Sequence, residues 1–140
     1  MSHPKTDTRK VTLDLRNNKQ WIQDKLDNNA ISKAEDFGAY LANGNKHSPE
    51  LTTSKLRKFF SALKRIEAEG YNDQTSSEFI LLKPYLAYTA GREKKEHKIH
   101  DFYEELKHGI DMVSHEKEFK NFVKLVEAIV AYHKAAGGKD

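Results

Sequence analysis

Apolar residues recur every three or four positions along most of the chain, which is the spacing that places side chains on one face of an α-helix. Residues 18–27 predict a short first helix. Ser32 and Glu35 form a capping-box pattern that predicts the start of a second helix, and Gly44 is expected to end it. The apolar positions that share a face are Trp21, Ile22 and Leu26 in the first segment and Phe37, Tyr40 and Leu41 in the second.

The segment LTTSKLRKFFSALKRI, residues 51–66, predicts a third helix with one apolar and one basic face. Thr52 or Thr53 is the expected N-cap, because a hydroxyl there accepts a hydrogen bond from a free backbone N–H of the first turn. Gly70 suits the position just past the C-terminus. The apolar face of this helix consists of Leu56, Phe59, Phe60, Leu63 and Ile66.

The stretch EFILLKPYLAYTAGR, residues 78–92, is apolar nearly all round and therefore predicts the central, most buried helix. Pro84 is expected to kink or restart it, because proline lacks an N–H and disfavours the α conformation of the residue before it. One amphipathic helix is predicted from Glu93, and a last one is predicted between a Ser114 cap and Gly137. Their apolar faces are Ile99, Phe102, Tyr103, Leu106, Ile110 and Val113, and then Phe119, Phe122, Val123, Val126, Ile129 and Val130.

No strand-length alternation of apolar and polar residues follows residue 15, so the fold class is predicted to be all-α, a compact bundle of about five or six helices. The predicted organisation is a flexible N-terminal arm, residues 1–17, and a single α-helical domain, residues 18–137. Within the arm, the alternation of Val11, Leu13 and Leu15 is compatible with a short extended segment against the body.

The distribution of charge changes this picture at the third helix. The whole chain is nearly balanced, with 24 Lys and Arg against 21 Asp and Glu. Residues 51–66 contain no acidic residue, although solvated helix faces usually interleave Glu with Lys. A basic face without local counter-charge suggests an external polyanion, and an ordinary solvated surface is the competing interpretation. The cations of this segment are Lys55, Arg57, Lys58, Lys64 and Arg65.

The sequence lacks the motifs that several kinds of functional site require. With no cysteine, the chain has neither disulfides nor thiolate metal sites, and it fits a reducing compartment, so a cytoplasmic location is expected. No apolar run reaches the roughly 20 residues of a membrane span, so no membrane contact is expected. Phosphate-binding glycine loops and a serine nucleophile elbow are absent as well. We therefore expect a protein that is not an enzyme and that uses no cofactor.

The best enzyme-like constellation lies on the helix predicted from Glu93. His97, Asp101, Glu104 and His108 recur at positions i, i+4, i+7 and i+11, and such a face of imidazoles and carboxylates is one way to hold a divalent cation. Interleaved lysines are also typical of a plain solvated helix, and no HExxH pattern supports a metal site. A metal-dependent hydrolase therefore remains a minor alternative.

Three segments together resemble the signature stretches of a known family. They are LTTSKLRKFF at residues 51–60, KPYLAYTAGR at residues 83–92 and FVKLVEAIVAYHK at residues 122–134. In content, order and spacing they are similar to the small-subunit family of type III-A CRISPR interference (Csm) complexes. The resemblance covers about residues 48–135. The small subunit of type III-B complexes, a related bundle, is the nearest alternative.

The resemblance implies a non-catalytic, all-α subunit that lies against guide RNA paired to target RNA. Its implied partners are those RNAs, the backbone and large subunits of the Csm complex, and copies of itself stacked along the effector filament in antiviral defence. Phosphate contacts that position a duplex without reading bases fit this role. The candidate RNA-binding residues are Lys55, Arg57, Lys58, Lys64, Arg65, Lys83 and Arg92.

Other residues keep plainer interpretations. Lys83 precedes the proline, where a long cation can reach out of a buried segment, and Arg92 either joins the basic surface or pairs with a neighbouring glutamate. Tyr85 and Tyr88 are expected to pack in the core, with stacking on bases as the alternative. His133 is expected to be a packed histidine. A protein-binding bundle without RNA contact is the second functional hypothesis.

Overall fold

A computed structural model describes residues 10–139 of the chain. Within this range the chain folds into seven α-helices, one of them a single turn, preceded by a short 3-10 helix at Leu15–Asn17. The α-helices are α1 (Gln20–Gln23), α2 (Asn28–Ala42), α3 (Thr53–Glu69), α4 (Asp73–Ile80), α5 (Leu82–Gly91), α6 (Ile99–Met112) and α7 (Glu116–Ala135). The described residues include no strand, so the prediction of an all-α bundle is confirmed.

Helix α7 is the central element of the bundle and packs against α1, α2, α3 and α6. Its most extensive contact is with α2, which presents alanines and Gly38 to it. A Cβ added at Gly38 would lie 2.8 Å from the carbonyl oxygen of Ile129 and 2.9 Å from the backbone N of His133. The two backbones therefore approach more closely than any side chain at position 38 permits.

Aromatic rings pack between α4 and α7 and between α3 and α6. Phe79 meets Phe119 and Phe122 edge to face, with ring centroids 5.2 and 5.4 Å apart. Phe59 of α3 meets Phe102 of α6 in the same way, at 5.4 Å. Offset and edge-to-face pairs of this kind add to the stabilisation that comes from burying the rings.

The prediction for α3 is confirmed at both ends. The Thr52 hydroxyl accepts a hydrogen bond from the Lys55 N–H, and Gly70 ends the helix with a φ of 92°. The prediction for α2 is wrong at its start. The cap is Asp27, whose carboxylate accepts from the Ala30 N–H, and α2 begins four residues before Ser32. Asp27 supplies the acceptor one turn earlier, so Ser32 lies within the helix.

The stretch at residues 78–92 is not the most buried helix, contrary to the prediction. It forms the end of α4 and all of α5, and these carry the large apolar side chains that are most exposed in residues 10–139. The restart that Pro84 was expected to cause occurs at Leu81, so the proline occupies the first turn of α5. A first-turn residue has no intrahelical acceptor for its N–H, which is why proline is tolerated there.

Two other helix starts differ from the predictions. Helix α6 begins at Ile99, because residues 92–98 form turns. Ser114 is not the cap of α7, whose N-cap is His115. Instead, the Ser114 N–H and hydroxyl both donate to Glu118 Oε1 at 2.8 Å, so a carboxylate in the first turn of α7 holds the chain that precedes it.

The packed body reaches further toward the N-terminus than residue 18. Leu13 and Leu15 are fully buried in the main core, Leu13 in a segment without helix or strand and Leu15 at the start of the 3-10 helix. Of the predicted arm, residues 1–17, the first nine residues lie outside the described part of the chain. None of the helices between residues 10 and 139 combines the length and hydropathy of a membrane span.

The close crossing of α2 and α7 predicts that Gly38→Ala destabilises the protein by about 1–3 kcal/mol, because the added methyl group must push the two helices apart. The cost exceeds the roughly 1 kcal/mol that alanine gains over glycine inside a helix. Urea unfolding followed by circular dichroism measures the difference.

Gly91→Ala is the matched control, since nothing lies within 4 Å of a Cβ built there. We expect it to leave the free energy of unfolding unchanged or to raise it slightly. Equal stability of the two variants would contradict the proposed backbone contact at Gly38.

Candidate nucleic-acid interface

The exposed face of α3 carries the strongest candidate surface. Leu56, Phe59 and Leu63 are buried on one side of this helix, so the positions between them face solvent. On that side, Ser54, Arg57, Lys58 and Ser61 line a shallow open depression. We call these four residues the α3 basic patch. It combines two cations with two hydroxyl groups, and both kinds of group hydrogen-bond to phosphate oxygens in proteins.

The predicted absence of acidic neighbours holds for only part of α3. Lys64 pairs with Glu67 at 2.5 Å, and Arg65 lies 3.7 Å from Glu78 of α4. Lys55 pairs with Glu93 at 2.6 Å. Glu67 follows the segment that lacks acidic residues by a single position, and the fold supplies the other two carboxylates, so the expectation of an unpaired face is wrong at these three residues.

Arg57 and Lys58 are the members of the predicted set on α3 that keep their charge unpaired. Both side chains are exposed, and across residues 10–139 no carboxylate lies within 4.0 Å of either cationic group. The sequence alone does not distinguish these two residues from Lys55, Lys64 and Arg65, which are paired. Only the fold separates the two groups, because two of the carboxylates come from α4 and from the turns after α5.

The remaining two candidates lie away from the α3 basic patch. Lys83 forms an ion pair with Asp111 at the C-terminal end of α6. Arg92 lies over the ring of Tyr88, with 5.8 Å between the guanidinium carbon and the ring centroid. The seven predicted residues therefore do not form one continuous patch, and the two on α5 or just after it contact neighbours of their own.

Two of the plainer interpretations have opposite outcomes. Tyr85 and Tyr88 are exposed, so the prediction that they pack in the core is wrong. His133 is 1% exposed, and its Nε2 donates to the Leu51 carbonyl oxygen at 2.7 Å. The expectation of a packed histidine is thus confirmed, and its hydrogen bond fixes the residue that precedes the cap of α3.

The His97 constellation does not assemble on one helix face. His97 precedes α6, and its Nδ1 accepts a hydrogen bond from the Ile99 N–H. Asp101 accepts from the Tyr40 hydroxyl at 2.6 Å, and Glu104 pairs with Lys107. In the described part of the chain, no three His, Cys, Asp or Glu side chains are grouped as a metal site requires.

A buried lysine that sequence reasoning missed organises this region. Lys98 is 7% exposed, and its Nζ donates to the carbonyl oxygens of Tyr40 and Asn43 at the end of α2. Burial lowers the pKa of this ammonium group, and the nearby Asp101 opposes that shift. The cation also lies 3.9 Å from the centre of the Tyr40 ring. The only sequence signal was a lysine immediately before an apolar helical face, which is too common to be informative.

Lys55, Glu93 and His97 form a charged cluster where the turns after α5 meet α3. The Lys55 hydrogen bond lowers the pKa of the Glu93 carboxyl. Burial lowers the pKa of His97, and Glu93, 4.0 Å from its Nε2, partly opposes that shift. The neutral imidazole is favoured in the fold, because only the unprotonated Nδ1 can accept from Ile99.

Comparisons with known proteins agree on one family. The family model Csm2 Type III-A matches residues 24–139. A curated protein of Streptococcus thermophilus, described as the CRISPR system Cms protein Csm2, is 30% identical over an alignment of 119 residues that covers 81% of this chain and 96% of that protein. No solved structure gives a significant match.

The environment of His97 predicts a pH dependence of stability. The pKa of His97 in the fold lies below the ordinary value near 6.5. The stability that the neutral imidazole contributes is therefore complete above pH 6.5 and is lost as the pH falls through the lower pKa of the folded state. We expect the thermal midpoint to fall between pH 7.5 and pH 5.5. The variant His97→Asn, whose side-chain oxygen can accept from the Ile99 N–H without titrating, should show a smaller fall in thermal midpoint than the wild type.

The exposed residue His47 provides the control, and His47→Asn should follow the wild-type pH profile. An identical pH dependence in His97→Asn and wild type would contradict the assigned role of Nδ1. Differential scanning fluorimetry at constant ionic strength is sufficient for this measurement.

Proposed function

Since the chain belongs to the Csm2 family, and is therefore the small subunit of a type III-A CRISPR complex, we propose that its role there is to bind RNA without catalysing a reaction. The observation that carries this proposal is the pair of unpaired cations in the α3 basic patch. Guide RNA paired to target RNA is the proposed ligand, and the sugar–phosphate backbone is the part that it contacts.

The α3 basic patch suits backbone contact better than base readout. Its groups lie on the outer face of a rigid helix within a shallow, open depression, which a phosphate backbone can approach and a base edge in a deep groove cannot. Arg57 can donate two parallel hydrogen bonds to one phosphate, and Ser54 and Ser61 can each donate another. Such contacts position a duplex irrespective of its sequence, which suits a complex in which base pairing selects the target.

The ion-paired cations of α3 are proposed as secondary contacts. Exposed ion pairs contribute only about 0–1 kcal/mol, so a polyanion can replace the carboxylate partners of Lys64 and Arg65 at low cost. Lys55 is half-buried and tied to Glu93, which limits its reach. Arg92 is exposed and available beside Tyr88, whereas Lys83 is turned toward α6 and ranks last among the seven.

The proposed partners are the backbone and large subunits of the complex, together with further copies of this chain along the filament. The proposed compartment is the cytoplasm, where type III-A effectors would meet their RNA. The second hypothesis, a protein-binding bundle without RNA contact, assigns the same cations to acidic protein surfaces. Crosslinking separates the two hypotheses, because only the first places RNA within bonding distance of α3.

The proposal predicts that Arg57→Glu with Lys58→Glu weakens binding of target RNA roughly tenfold or more in a complex assembled from all Csm subunits. The logarithm of the affinity should also depend less steeply on the logarithm of salt concentration, by about 1.5, since two phosphate contacts are lost. Filter binding between 50 and 200 mM salt measures both quantities.

The control variant is Lys19→Glu with Lys25→Glu, which changes the net charge equally at two exposed lysines outside α3. It should keep the wild-type affinity and salt dependence. Unchanged RNA crosslinking and an unchanged salt slope in the Arg57 and Lys58 variant would sink the proposal. Failure of that variant to enter the complex would favour the protein-binding hypothesis.

A further inference from the structure

A row of large apolar side chains along α4 and α5 is exposed in the described fold. Leu81, Tyr85 and Tyr88 are 63%, 39% and 68% exposed, and Ile80 beside them is 53% exposed. Burying such a surface in a contact would be favourable, at roughly 25 cal/mol for each Å² of apolar area removed from water. A contiguous row of large apolar side chains is the usual mark of an interaction surface.

The spacing of this row matches the seam of a helix pair. Glu78, Leu81, Tyr85, Tyr88 and Arg92 follow one another at intervals of three, four, three and four residues, as the a and d positions of a heptad do. We call these five residues the α5 stripe. The buried residues Phe79, Leu82 and Leu86 lie at other heptad positions and hold the same segment against the core.

The break between α4 and α5 does not interrupt the stripe. Leu81 has helical dihedral angles, with φ −65° and ψ −13°. Its N–H donates to the Ser77 carbonyl oxygen, and the Tyr85 N–H donates to the Leu81 carbonyl oxygen, both at 3.2 Å. At a rise of 1.5 Å per residue, the 14 steps from Glu78 to Arg92 extend over about 21 Å of helix.

The stripe is self-complementary about its middle residue. Glu78 lies seven residues before Tyr85, and Arg92 lies seven residues after it. When two such stripes run antiparallel across a two-fold axis at Tyr85, each Glu78 meets the partner's Arg92, and Leu81 meets Tyr88. We propose that the α5 stripe binds the α5 stripe of a second copy of this chain in this antiparallel arrangement.

The chemistry of the stripe favours a second copy over RNA. Bases stack on aromatic rings, whereas the aliphatic side chains of Ile80 and Leu81 offer no π-face. Arg92 is the cation of the stripe, and Glu78 at the other end carries the opposite charge. Glu78 also lies 3.7 Å from Arg65 of α3, but this pair is exposed and is exchanged at low cost. Lys83, two residues after Leu81, is held by Asp111 on α6 and does not add positive charge to the stripe.

The expected contact is small and weak. One helix seam buries less than the roughly 800 Å² per partner of a standard interface, which places the contact among the weak, transient interfaces. A two-fold contact is complete with two copies and cannot extend into a row of subunits. The contact is therefore a pairing of two copies, separate from any stacking along the filament, and it does not rest on the proposed RNA-binding role.

A single engineered cysteine tests the arrangement, because the natural chain has none. In the Tyr85→Cys variant the two thiols lie across the axis, so mild oxidation at 50 μM should give a disulfide-linked dimer at least ten times faster than in the control Ser61→Cys, which lies on α3. Equal rates in the two variants would overturn the proposed site. Circular dichroism verifies that both variants are folded.

Charge reversal tests the antiparallel direction by sedimentation equilibrium. Glu78→Lys and Arg92→Glu should each shift the protein toward monomer, at least tenfold in dissociation constant, and the double variant should restore the dimer. Loss of the dimer in all three would contradict the antiparallel pairing, as would a wild-type protein that is monomeric at 200 μM.

The same variants distinguish this inference from the proposed RNA contact. Arg57→Glu with Lys58→Glu should dimerise normally, and Leu81→Ala should weaken the dimer while leaving RNA binding by the assembled complex unchanged. If the Tyr88→Ala variant loses RNA crosslinking while the wild-type free protein is monomeric, the stripe binds RNA and the proposed dimer is wrong.

Discussion

The close crossing of α2 and α7 is the constraint on which the rest of the structure depends. Because Gly38 has no Cβ, the two backbones touch where α7 passes the middle of α2. His133 contributes its backbone N to this contact, and its side chain donates to the Leu51 carbonyl oxygen. The carbonyl oxygen of Lys139, just beyond α7, accepts from the Thr53 N–H at 2.7 Å. Helix α7 thereby fixes both residues that flank the Thr52 cap, and with them the start and direction of α3. Arg57 and Lys58 face solvent because the opposite side of α3 is held against this frame.

The fold also decides how much of the positive charge on α3 is available. The segment at residues 51–66 contains no acidic residue, yet Glu78 and Glu93 reach it from α4 and from the turns after α5. Exposed pairs of this kind contribute little to stability and yield readily to a polyanion, whereas the half-buried Lys55 is more firmly held. The surface thus has a permanently available part at Arg57 and Lys58, and an exchangeable part at Lys64 and Arg65.

Sequence reasoning succeeded where a local interaction determines the structure. The ends of α3 follow from Thr52, whose hydroxyl bonds within its own turn, and from Gly70, which adopts a positive φ. It failed where contacts between segments that are distant in the sequence determine the structure. Ser32 and Asp27 are equally good caps by composition, and periodicity does not choose between them. Residues 78–92 are apolar on every face, so the sequence could not tell which face is covered by α6 and which is left exposed. The same limit concealed the carboxylates that pair with α3 and the buried Lys98.

The α3 basic patch and the α5 stripe are separate surfaces that share one ion pair. Arg65 belongs to the basic face of α3, and its partner Glu78 is the first residue of the α5 stripe. The pair is exposed, with 3.7 Å between the groups, so it holds neither side chain firmly. A phosphate at Arg65 would release Glu78 toward Arg92 of a second copy, and a second copy at Glu78 would release Arg65 toward phosphate. Each partner thus lowers the electrostatic cost of binding the other, so the two proposed contacts are compatible within one molecule.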